Sequence, residues 1–187
     1  MKTPEDWHQR YTQQARWTKD IRRYLFAQVQ MERARRVLEV GCGTGAVLSH
    51  TEAVVPLGLN GVDLNLPGLR LAQQLFPLAS LTAGNALSLP YAAASFDISF
   101  CHFLLLRIHD PLAALAEMKR VTRPGGYVLA LAEPDYGGRI DHPASLETIG
   151  KLQAQALADQ GADPLMGRKL GGLLNDAGLS NVQVGLI

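Results

Sequence analysis

Hydrophobic positions in this chain switch repeatedly between a helical and an extended rhythm, and the switches define its elements. Trp7, Tyr11, Ala15, Ile21, Leu25 and Val29 recur at near-helical spacing behind Thr3-Pro4-Glu5-Asp6, which offers a hydroxyl cap, a proline at the first helical position and acids in the first turn. They predict a helix to about residue 30, broken near residues 18–20 where the stripe fails. Val37-Leu38-Glu39-Val40 reads as a buried strand, and Val47, Leu48, Thr51, Val54 and Val55 as a helix ending near Pro56. Further strands are predicted to end at Asp63 and to cover residues 78–82, 96–100, 127–132 and Val182–Ile187. Helical spacing covers residues 67–76, with Leu69, Ala72, Leu75 and Phe76 inward, then 112–121, 143–160 and 165–177. Asn65 and Asp110 stand as caps before Pro67 and Pro111. The uninterrupted apolar run Tyr127–Ala132 suits an interior parallel strand. Strands alternating with helices in this way make an α/β fold, a largely parallel sheet with helices on both faces.

The junction between the first strand and its helix is Gly41-Cys42-Gly43-Thr44-Gly45. Glycines at alternate positions allow a turn whose φ values are closed to other residues, and they let a ligand approach the backbone. Free N–H groups at the start of the next helix would then meet a polar or anionic group. Two ligand classes fit. Gly41-x-Gly43-x-x-Ala46, with Asp63 downstream, satisfies the dinucleotide fingerprint and admits a nicotinamide-dependent oxidoreductase. That enzyme would normally need a constellation such as Tyr-x-x-x-Lys, and neither Tyr91, Tyr127 nor Tyr136 is followed by lysine at that spacing. With either ligand, a right-handed crossover brings the carboxyl end of the second strand beside the first loop, so Asp63 and Gly43 flank one crevice.

Glu39, two residues before the first glycine, and Gly45 complete E-x-G-x-G-x-G. Together with Gly84-Asn85-Ala86 through Ser95-Phe96-Asp97, and with Thr122-Arg123-Pro124-Gly125-Gly126, this resembles the class I S-adenosylmethionine-dependent methyltransferases of the type 11-like group. The resemblance implies a Rossmann-like domain over residues 37–187 behind an N-terminal helical cap of residues 1–36. It implies S-adenosyl-L-methionine as cofactor and transfer of its methyl group to an acceptor, expected to be a small molecule. By the same resemblance Glu39, Gly41, Cys42, Gly43 and Gly45 lie against the methionine part, and Asp63 holds the ribose hydroxyls with Leu64 beside it. Asn85, in place of the family's aspartate, accepts from the adenine amino group, and Ala86 offers its N–H to a ring nitrogen. Cys101 completes the set at the crevice, with Tyr11 and Trp17 covering it from the N-terminal helix.

Two departures limit the carry-over. Relatives read roughly L-H-H-L-x-D-P where this chain has Leu105-Leu106-Arg107-Ile108-His109-Asp110-Pro111, so no role of those histidines transfers. The family's sheet also ends with a seventh strand inserted beside the fifth, for which no residues remain, so the natural chain is expected to continue past Ile187. Catalysis rests mainly on alignment and desolvation. If the acceptor needs a base, Asp135, Tyr136, His102 and His109 are the geometric candidates, and Glu133 and Asp135 are expected to project toward the substrate. The family has no obligatory catalytic residue, which leaves a non-catalytic cofactor- or partner-binding module as the alternative. Residues 137–177 exceed what a strand crossover requires and are expected to form a lid, a substrate wall or extra packed helices.

Composition narrows the partners. The 187 residues, 47% of them apolar, suit one globular domain. Net charge is +1, yet residues 1–36 hold nine Lys/Arg against four Asp/Glu. A basic segment admits nucleic acid, although charges scattered along a helix read as a solvated face. Two cysteines without a C-x-x-C pair and five histidines without ligand spacing argue against a metal site. No apolar run reaches the ~18 residues of a membrane span, and Met1–Asp6 is too polar for a signal peptide, so the cytoplasm is the expected location. The sequence carries no signal of oligomeric state.

Overall fold

The computed structural model describes residues 2–55 and 58–185. Its centre is a five-stranded parallel sheet of β1 (Val37–Val40), β2 (Leu59–Asp63), β3 (Ser80–Ala83), β4 (Phe96–His102) and β5 (Thr122–Leu131), in the order β3-β2-β1-β4-β5. Strand order reverses between β1 and β4, and ligands of open α/β sheets bind outside the strand ends at such a reversal. Register fixes which side chains meet there, with Val40 opposite Val62 on one side and Cys101 on the other.

Side-chain alternation along β1 sends Val37 and Leu38 into separate clusters on opposite faces. The first face is covered by α1 (Pro4–Trp17) and α2 (Lys19–Gln28), which bury Ala15 and Phe26 there, and by the short α3 (Leu48–Glu52). The second is covered by α5 (Pro111–Val121) and α7 (Met166–Asp176). The remaining helices are α4 (Leu66–Leu75) and α6 (Glu147–Asp159). The N-terminal segment is therefore part of the core as well as a cover. Phe26 meets Phe100 of β4 edge-on, with ring centroids 5.5 Å apart.

Local chemistry explains most boundaries. Thr3 and Asp6 form a reciprocal capping box at the start of α1, Asn65 accepts from the Gly68 N–H, and Asp110 from the Ala113 N–H. The expected break falls at Thr18, which has non-helical backbone angles. Three expectations are corrected. The helix after the glycine loop is only five residues long and starts at Leu48, because Gly41, Gly43 and Gly45 all hold positive φ and carry the loop further. Leu75 is exposed, since the α4 stripe facing the core runs through Leu69 and Ala72. Val182–Gly185 form no strand, and the rest of the strand expected over Val182–Ile187 lies outside the described residues. The Arg123-Pro124-Gly125-Gly126 segment bulges from β5, whose partners on β4 step from Thr122 directly to Tyr127.

Candidate functional site

A cavity of about 700 Å³ opens at the strand reversal, between the carboxyl ends of β1, β2 and β4 and the helices α1 and α6. Of the expected cofactor residues, Tyr11, Trp17, Glu39, Gly41, Cys42, Gly43 and Asp63 line it. Gly43 faces open space: a Cβ there would come no nearer than 3.9 Å to the Asp63 carboxylate and 4.0 Å to the Tyr11 ring. Gly41 and Gly45 serve packing, since a Cβ would lie 2.6 Å from Leu104 and 2.7 Å from Phe76 respectively. Asp63 Oδ2 accepts from the Gly43 N–H at 2.7 Å and its Oδ1 from the Asn65 N–H at 2.7 Å, so the second strand end clamps the glycine loop.

Glu39 lies on the face of β1 that α2 covers, and it is 2% exposed. Its Oε2 has no hydrogen-bond partner. Burial pushes its carboxyl well above the ordinary carboxylate range, Arg22 pulls in the opposite direction, and Asp63 adds to the rise. Arg22 of α2 is itself 1% exposed, with Nε and Nη2 unpartnered. Its Nη1 contacts the Thr18 hydroxyl and lies 3.4 Å from His102 Nε2. Sequence reasoning missed Arg22, because an arginine among nine basic residues of an amphipathic segment reads as solvated. Its position one helical turn after Thr18, at the break, is the only signal.

His102 lines the cavity, and its Nε2 pairs with the Thr18 hydroxyl at 2.8 Å. Burial first, and the Arg22 charge second, hold its pKa down to about 3. A pKa depressed in the folded state means that the native protein binds fewer protons than the unfolded chain between about pH 6.5 and pH 3. Stability tied to neutral His102 is thus present above that window and lost as pH falls through it. Going from pH 7 to pH 5 should remove about 2 kcal/mol through this group. Urea unfolding of the wild protein and His102→Gln at both pH values measures it as the difference between the two; equal pH dependence would contradict the assignment.

Most of the other candidates stand apart from the cavity lining. Leu64 is 68% exposed beyond Asp63, and Cys101 is fully buried among the apolar residues of the second face. Asn85 is exposed and accepts from the Leu87 N–H at 3.0 Å in its own turn, with Ala86 half-buried beside it. Asp135, proposed as a base, is held by Arg168 at 2.8 Å, which together with the Gly137 N–H keeps its carboxyl below the ordinary range and unfit to take a proton. His109 is exposed. Tyr136 does line the cavity, with its hydroxyl accepting from Gln153 at 3.3 Å. Glu133 turns inward, contrary to expectation: its carboxylate accepts from the N–H groups of Leu104, Leu105 and Leu106 at 2.8, 2.8 and 2.9 Å. From residues 137–177, Gln153 and Leu157 of α6 wall the cavity, whereas α7 packs on α5.

No helix among the described residues is long and apolar enough to cross a membrane, and no group of three or more His, Cys, Asp or Glu there could hold a metal ion.

Comparison with known proteins agrees with this geometry. The family model described as a methyltransferase domain matches residues 38–130. An uncharacterized methyltransferase of Schizosaccharomyces pombe is 34% identical over 160 residues, covering 79% of this chain and 57% of that protein. A demethylmenaquinone methyltransferase of Roseiflexus castenholzii is 40% identical over 135 residues, covering 69% and 56%. The chain spans about half the length of the curated relatives it matches. Among solved structures, the S-adenosylmethionine-bound amino pentose methyltransferase CalS10 of Micromonospora echinaspora superimposes with a TM-score of 0.53 at 31% identity, covering 59% of this chain and 49% of that one. With its parallel sheet, its glycine loop and these likenesses, the chain belongs to the class I S-adenosylmethionine-dependent methyltransferase family, through the domain that residues 38–130 mark.

Proposed function

We propose that this protein binds S-adenosyl-L-methionine in the cavity and transfers its methyl group to a small-molecule acceptor. The observation that carries the reading is the pair of carboxylates, Glu39 and Asp63, on neighbouring strand ends either side of a glycine that faces open space. The residues suit the cofactor: Glu39 Oε2 is a buried acceptor without a donor, as a methionine ammonium would require, and Asp63 retains lone pairs for ribose hydroxyls. Tyr11 and Trp17 cover this half of the cavity from α1, and Cys42 forms its floor. Asn85 and Ala86 would reach adenine from the rim, the amide through its oxygen's second lone pair. Glu39, Gly41, Gly43 and Asp63 are thus the residues proposed to hold the cofactor.

When bound, the cofactor supplies an electrophilic methyl group on a sulfonium sulfur. The chain's own contribution is to hold the acceptor in line, to exclude water, and to lose no energy reorganising at the moment of transfer. His102, kept neutral, and the Tyr136 hydroxyl are the cavity groups able to accept a hydrogen bond from an acceptor hydroxyl. Relatives named for demethylmenaquinone make a ring-bearing small molecule a fitting acceptor class. Calorimetry with S-adenosylhomocysteine and with NADH tests the reading: binding of the first and not the second is expected, and NADH binding alone overturns it. S-adenosylhomocysteine release with a panel of ring-bearing acceptors then separates a transferase from a binding module.

A further inference from the structure

Outside the residues proposed to hold the cofactor and those at the start of α1, which include Asp6, the cavity lining carries a single formal charge among the described residues. The walls there are Phe103, Leu104, Leu106 and Leu157, with Tyr136 and Gln153 as neutral polar groups. The charge is Arg107, which is exposed toward the cavity and makes no ion pair among the described residues. Lys2 and Arg10, the other cations of the lining, both lie over the Trp7 ring near the start of α1. Glu133 feels the Arg107 charge from a distance but forms no ion pair with it, its oxygens being taken by three backbone N–H groups; Asp135 is paired with Arg168, and Asp63, across Tyr11, holds the glycine loop. The backbone that carries the guanidinium is held in place. Arg107 closes the short turn Leu105–Arg107, its N–H bonds the Leu104 carbonyl at 2.9 Å, and that turn is pinned from below by Glu133.

An apolar chamber with one unpaired guanidinium selects by charge. A cationic acceptor would meet repulsion from the guanidinium, the lining carboxyl groups Glu39 and Asp63 being those proposed to hold the cofactor, and a neutral one would leave the fork without a partner. A planar carboxylate accepts two parallel N–H bonds from such a fork. We propose that the acceptor is an apolar, ring-sized molecule bearing a carboxylate, and that Arg107 receives that carboxylate and so sets the orientation of the methyl-accepting atom. This rests on the methyltransferase reading above.

The test is calorimetric titration of the protein saturated with S-adenosylhomocysteine, using three probes: 1-hydroxy-2-naphthoate, its methyl ester, and 2-(aminomethyl)-1-naphthol. The carboxylate is expected to bind at least about tenfold more tightly than the other two, a preference that R107Q abolishes and R107K partly retains. Thermal unfolding midpoints of both variants should match the wild protein, because the side chain is exposed and makes no ion pair. Equal or tighter binding of the ester or the amine by the wild protein, or an unchanged preference in R107Q, overturns the proposal while leaving the methyltransferase reading intact. Failure of S-adenosylhomocysteine itself to bind overturns both.

Discussion

Asp63→Ala should weaken S-adenosylhomocysteine binding by about 2–4 kcal/mol, some thirtyfold to a thousandfold in Kd. Two losses combine. The carboxylate proposed to accept the ribose hydroxyls disappears, and so does the clamp that holds the glycine loop through the Gly43 N–H at 2.7 Å. Asp63→Asn separates them, because an amide oxygen can still accept from one N–H while the charge is gone. Calorimetry on both variants, alongside unfolding without ligand, distinguishes loss of binding from loss of fold. An unchanged Kd in Asp63→Ala would mean that the ribose lies elsewhere.

Glu133→Ala should cost about 3–5 kcal/mol of stability. Three N–H groups, from Leu104, Leu105 and Leu106, donate to this one carboxylate, and leaving a buried donor unmade costs about 1–3 kcal/mol each before water and local relaxation recover part of it. Burial raises the Glu133 pKa while the same three N–H groups oppose the rise, so the bonds are what make the site tolerable to a carboxylate. Glu133→Gln keeps one accepting oxygen and should lose roughly half as much. Denaturant midpoints with an unchanged m-value measure both. A Glu133→Ala protein within ~1 kcal/mol of the wild type would show that the bonds only cancel the cost of burying the charge.

How far the sequence revealed these features depended on distance along the chain. The glycine loop, the Asn65 and Asp110 caps and the pairing of Gly43 with Asp63 were legible, because each rests on a local pattern or on one right-handed crossover. The buried polar groups were not. Glu133 was expected to face substrate because an acid followed by proline at a strand end ordinarily meets solvent; its true partners lie on a turn 27–29 residues earlier. His102 and Thr18 are 84 positions apart, and no periodicity links them. Asp135 looked available as a base until the start of α7 brought Arg168 against it. Gly167, a poor helix former, lets α7 approach β5's exit: a Cβ there would lie 2.7 Å from the Glu133 carbonyl.

The central place of β1 bears on how the chain reaches this structure while it is being synthesised. Val37–Val40 can pair with β2 once residue 63 has emerged, but its other neighbour, β4, begins only at Phe96. Phe26, near the start, must wait longer still for Phe100. For the whole of that interval one edge of the middle strand and the apolar side of α2 lack their final partners, and parallel pairing across such separations is slow. The nascent N-terminal half is therefore the stage at which this protein is most open to capture by a chaperone or to misassociation, and faster emergence of residues 64–102 would shorten the exposure.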